Sequence, residues 1–113
     1  MKQNNPLFKG SLTTIVLKLL SEQDRMYGYE ITKKVKELSN DKLTLTEGAL
    51  YPALHKLEAE GLLSVSVENI GNRPRKYYSL TRNGKKQAVN KLADLKDFFL
   101  QMQTILNLQL QSN

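Results

Sequence analysis

Six basic side chains, Arg73, Arg75, Lys76, Arg82, Lys85 and Lys86, fall between Asn69 and Lys86 with no acidic residue among them. That stretch alone equals the formal net charge of the whole chain, +6. The chemistry it offers is anion binding, because guanidinium and ammonium groups held close together neutralise and hydrogen-bond phosphate oxygens. A second group lies upstream. At about 100° per residue, Gly48, Tyr51, Pro52, His55, Lys56 and Ala59 share one side of a helix. A solvated face would carry long charged side chains; this one is small, aromatic and weakly basic, as a contact surface is. The bland alternative is an ordinary core helix beside a solvated edge hairpin whose lysines block sheet aggregation. That would explain Lys76, but not arginines clustered at the tip.

Catalytic chemistry finds little support. His55 is the single histidine, and with Glu58 it supplies at most two metal ligands, short of the three or four of a zinc site. The chain has no cysteine, so thiol catalysis, disulfides and thiolate metal sites are excluded. There is no glycine-rich phosphate loop and no nucleophile paired with a base. The expectation is therefore a non-enzyme with no catalytic residue, no metal and no cofactor.

The elements that must position these groups follow from periodicity. Around the contact face, Leu50, Ala53, Leu54 and Leu57 form an apolar stripe at i, i+3, i+4, i+7. Thr46 is the natural cap, Thr44 with Glu47 offers a competing capping box, and Gly61 is the stop. The stripe keeps its phase through Pro52, which predicts a helix that starts at Thr46 and bends at the proline. Before it, Leu12, Ile15, Val16, Leu19 and Leu20 mark a core helix from about Ser11 to Glu22. Another runs from Tyr27 or Gly28 to Leu38, with Tyr27, Ile31, Val35 and Leu38 inward, and the turn formers Ser39 to Asp41 end it. Met1 to Lys9 reads as a loose arm bringing Lys2 and Lys9 toward a partner.

From Leu62 the period becomes 2. Leu63, Val65 and Val67 alternate with polar residues, Asn69 to Pro74 form a loop, and Arg75 to Leu80 return as a second strand with Tyr78 and Leu80 on one face. Thr81 then caps a last helix with Gly84 in its first turn. In that helix Ala88, Leu92, Leu95, Phe99, Met102 and Leu106 are spaced alternately by four and three. Phe98, Ile105 and Leu108 add a second stripe, and one small domain cannot cover both sides of a helix roughly 40 Å long. A partner chain is expected on Leu92, Leu95, Phe99, Met102 and Leu106. A two-fold dimer would present two helix-plus-hairpin units to a palindromic duplex.

The fold expected is mainly α with a small two-stranded antiparallel hairpin, a winged helix-turn-helix over residues 1–81 followed by a C-terminal dimerisation helix over 82–113. At 113 residues and 40% apolar content the chain suits one modest core. No stretch approaches a membrane span, and Met1 to Phe8 lacks the apolar core of a signal peptide, so a soluble cytoplasmic protein with no membrane partner is expected.

Three segments, MYGYEI (Met26 to Ile31), LTEGALYPALHKLEAEGLL (Leu45 to Leu63) and NRPRKYYSLTRNGKK (Asn72 to Lys86), together resemble the PadR family of bacterial transcriptional regulators. The resemblance covers essentially the whole chain. It implies a winged helix-turn-helix homodimer that binds double-stranded DNA, usually a repressor and often released by a small molecule or stress signal. Carried onto this sequence, it places Thr46, Glu47, Gly48 and Tyr51 at the groove-facing start of the recognition helix, with His55 and Lys56 further along. Tyr27 and Tyr29 would lie near the phosphates, and Arg73, Arg75 and Lys76 would belong to the wing. Asn69 to Asn72 departs from the more glycine-rich loop of many members. Some compact members stack flat drugs between aromatic residues, notably tryptophan; this chain has none, and Phe98 with Phe99 reads as packing. A winged-helix module that binds protein instead of DNA is the competing function.

Overall fold

The computed structural model describes residues 5–109. The chain runs α1 (Pro6–Gly10), α2 (Leu12–Ser21), β1 (Met26–Tyr27), α3 (Gly28–Leu38), α4 (Glu47–Ala59), β2 (Leu63–Ile70), β3 (Arg73–Leu80) and α5 (Arg82–Leu106). Helices dominate, and the strands form one small antiparallel sheet in the order β1-β3-β2.

Local chemistry sets most boundaries. The Asn5 side chain accepts hydrogen bonds from the backbone N–H of Leu7 (2.9 Å) and Phe8 (3.2 Å), and Pro6 occupies the first helical position. The arm expected over Met1 to Lys9 is thus a short helix where it is described, and Lys2 lies outside the described residues. Phe8 explains the difference: it is buried in the core and ties the segment down. At α4, Thr46 Oγ1 accepts from the Ala49 N–H at 3.2 Å, so the cap is Thr46 and not Thr44. The helix continues through Pro52. It ends at Gly61 (φ +78°), where Gly61 N–H donates to Glu58 O and Leu62 N–H to Leu57 O, both at 2.9 Å. Those two bonds satisfy carbonyls that the helix end would orphan.

The sheet departs from expectation in two ways. Met26 and Tyr27 pair with Tyr78 and Tyr77, so the expected two-stranded hairpin is a three-stranded sheet. Two residues are too few to reveal a period, which is why the sequence reads only as a lapse there. The six-residue loop is in fact a two-residue turn, because Ile70 pairs with Arg73 and only Gly71 and Asn72 remain. Gly71 takes φ +64°, the left-handed geometry that a tight hairpin needs at its first turn position.

The core gathers Val16, Leu17, Ile31, Leu50, Leu54, Leu57 and Tyr78, all under 2% exposed. Val67, expected inward, is 58% exposed and faces an open concavity that it lines with Tyr29 and Tyr51. Leu38, also expected inward, is 64% exposed. It lines an apolar groove of about 410 Å³ with Phe8, Ile15, Leu19, Leu92 and Leu95, so it faces a furrow between α2, α3 and α5. The start of α5 is clamped to the turn between α4 and β2: Thr81 N–H donates to Leu62 O (3.0 Å) and Thr81 Oγ1 to Gly61 O (2.7 Å). The first half of α5 packs against α2, with Ala88 buried, and the rest extends away, so the long dimension of the molecule reaches 54 Å against 32 and 25 Å across.

Candidate nucleic-acid interface

The N-terminal half of α4 and the β2–β3 wing enclose a concavity of about 640 Å³. Tyr27, Tyr29, Glu47, Tyr51, Arg73, Arg75 and Lys76 line it, so seven of the eleven residues singled out from the sequence meet on one surface. Thr46 and Gly48 are exposed at the α4 N-terminus, with the Thr46 hydroxyl engaged in capping. His55 and Lys56 are exposed further along the same helix, outside the concavity.

Tyr51 is more enclosed than an outward helix position implies. Its hydroxyl donates to Glu47 Oε1 at 3.2 Å, and a Cβ built on Gly28 would lie 3.0 Å from the Tyr51 hydroxyl oxygen itself. Gly28 therefore gives α4 its close approach to α3, and the ring lies over that contact. Partial burial, then the Glu47 carboxylate, push the Tyr51 phenol above its ordinary pKa. The Tyr51 hydroxyl and the Glu47 side chain hold each other at the helix start, where an acidic residue also suits the positive end of the dipole.

A layer of aromatic rings and guanidinium groups covers the solvent side of the sheet. Tyr27 stacks near Tyr29 at 6.4 Å between centroids and meets Tyr77 edge to face at 5.5 Å. Arg75 lies 4.1 Å over the Tyr27 ring, and Arg25 lies 4.0 Å over the Tyr77 ring. Such stacking restricts how a guanidinium can turn without itself using up an N–H donor. The Tyr77 side chain is the main influence raising the Arg75 pKa, and that arginine is a permanent cation.

Arg25, Tyr77 and Glu68, which forms an ion pair with Arg25, were not singled out from the sequence. Alternation along β3 does put Tyr77 on the outer face with Arg75. Arg25 offers no such signal, because its neighbours are set by the pairing of the two-residue strand β1 with β3.

The five heptad residues expected to meet a partner chain lie along α5. Leu92 and Leu95 are half-buried beside the α2–α3 furrow, Met102 is half-buried, and Phe99 and Leu106 are 57% and 54% exposed. Among the described residues no helix is long and apolar enough to cross a membrane.

Comparison with known proteins gives this arrangement a context. A Lysinibacillus sphaericus protein of uncharacterized role is 30% identical over 95 residues, covering 80% of this chain and 86% of its own length. The transcriptional regulator YqjI of Escherichia coli is 32% identical over 75 residues, which are 66% of this chain and 34% of that protein. The chain therefore spans about a third of YqjI's length. The crystal structure of a PadR family transcriptional regulator from Eggerthella lenta superposes with a TM-score of 0.78 at 29% identity, covering 92% of this chain and 88% of that one. Winged-helix architecture is thus shared with PadR regulators, and residues 16–90 match the model of the transcriptional regulator PadR-like family. With two-thirds of its length inside that match, the chain belongs to the PadR-like family of transcriptional regulators.

Proposed function

We propose that this regulator binds double-stranded DNA with sequence preference as a homodimer and acts as a cytoplasmic repressor. Release by a small molecule is the mode of control that family membership suggests. The observation that carries the reading is the shared surface of α4 and the wing, where Tyr27, Tyr29, Glu47, Tyr51, Arg73, Arg75 and Lys76 line one concavity. In this reading α4 enters the major groove and offers Thr46, Glu47, Gly48, Tyr51, His55 and Lys56. Tyr27, Tyr29 and the wing cations meet the sugar-phosphate backbone.

Residues 82–113 act as the dimerisation element and residues 1–81 as the DNA-binding unit. Support comes from apolar residues at half or more exposure, namely Phe98, Phe99, Leu100, Ile105 and Leu106 along α5 and Leu108 just past its end, together with the open furrow by Leu38. A second copy laying its own α5 against this one would cover both.

Selection of bound duplexes from a random pool tests the reading directly. The expected result is a palindromic site whose affinity falls steeply as salt rises. Arg73→Ala should weaken every sequence alike, whereas His55→Ala should reduce discrimination among sequences. A chain that retards no duplex at low salt, yet forms a stable complex with another protein through α4, would replace DNA with a protein partner.

A further inference from the structure

On the outer sheet face, Glu68 of β2 stands directly across from Arg75 of β3. Side chains directly opposed on antiparallel strands have Cβ atoms about 5 Å apart, and opposite charges there ordinarily pair. Here they do not. Glu68 instead forms its ion pair with Arg25, which precedes β1 and reaches across the sheet. Arg25 is itself seated on Tyr77 at 4.0 Å, while Arg75 sits on Tyr27 at 4.1 Å, and the two rings touch edge to face. One aromatic pair thus holds two guanidinium groups apart, and the carboxylate of Glu68 goes to the one that does not line the concavity.

We propose that Arg25 is a positioning residue of the DNA interface: by engaging Glu68 it keeps Arg75 free of a carboxylate partner and open to a phosphate. The proposal rests on the DNA-binding reading above. Without Arg25, Glu68 turns to its cross-strand neighbour, and an Arg75 paired in this way loses its donors to an anion. The patch also regains an uncompensated negative charge beside the phosphates.

A double-mutant cycle with the full chain tests this. Binding of a fluorescent mixed-sequence duplex of about 25 base pairs is followed by anisotropy across a salt series, since phosphate contacts are independent of sequence. R25Q should weaken binding about fivefold to tenfold and reduce the slope of log affinity against log salt by about one per protomer. E68Q alone should change affinity by less than about twofold, yet on R25Q it should restore both affinity and slope nearly to wild type. An R25Q/E68Q double variant no tighter than R25Q would overturn the proposal and assign Arg25 its own phosphate. Strictly additive effects would overturn it as well. R75Q separates the two levels: if it leaves the slope unchanged, the wing does not grip phosphate, and the underlying reading fails together with this one. Thermal midpoints of all four variants within a few degrees of wild type, expected for exposed side chains, confirm that binding and not folding is being read.

Discussion

Gly84 shows how much one missing methyl can matter. A Cβ there would lie 2.1 Å from the Leu62 carbonyl oxygen, which already accepts from Thr81 N–H. Backbone cannot step aside as a flexible side chain can, so Gly84→Ala should cost roughly 2 to 3 kcal/mol, measured by urea unfolding. At Glu68 the charge state is the readout. Its carboxyl is held below the ordinary glutamate range, chiefly by the Arg25 guanidinium. A depressed folded-state pKa means that the pair's contribution is present above the unfolded pKa and lost as pH falls through the folded value. Carbon-detected NMR should show Glu68 titrating low in the wild type and returning to the ordinary range in R25Q. No upward return would mean that Arg25 does not hold the carboxylate in solution.

At the scale of elements, caps and turns carry the specification. Thr46→Ala removes the bond to the Ala49 N–H and should lower stability by about 1 kcal/mol. Gly71→Ala forces a side chain into φ +64° at the wing tip. It should destabilise the hairpin by about 1 kcal/mol and weaken duplex binding, because the turn orients Arg73. Calorimetric midpoints of both variants check the stabilities. Most elements were legible beforehand: the α2 and α4 stripes, the Thr46 and Thr81 caps and the Gly61 stop depend only on neighbours a few residues away. The α1 helix and β1 were not. One depends on Phe8 finding the core, the other on Tyr77 and Tyr78 arriving from some fifty residues later.

For the whole molecule the exposed apolar side of α5 sets the prediction. Phe99 is 57% exposed and Ile105 72% exposed on a helix with few neighbours beyond Leu95. If a second copy covers them, the chain should sediment as a dimer at micromolar concentration. Phe99→Glu should raise the dimer dissociation constant about 100-fold, the equivalent of roughly 2 to 3 kcal/mol of lost ring burial. A wild-type chain that sediments as a monomer would remove the two-fold geometry from the functional reading.

Periodicity, capping chemistry and charge placement belong to the sequence by itself. They determine that a helix with a small aromatic face precedes a basic hairpin and a long heptad helix, since each depends on interactions within one turn or one strand. Only the tertiary structure decided that Tyr27, Tyr51 and Arg75 share a concavity, that Tyr51 closes over Gly28, and that Glu68 goes to Arg25 across the sheet rather than to Arg75 opposite. Those pairings join residues distant in the chain. Strand register and helix docking set them, and both are outcomes of packing the whole core that no local pattern encodes.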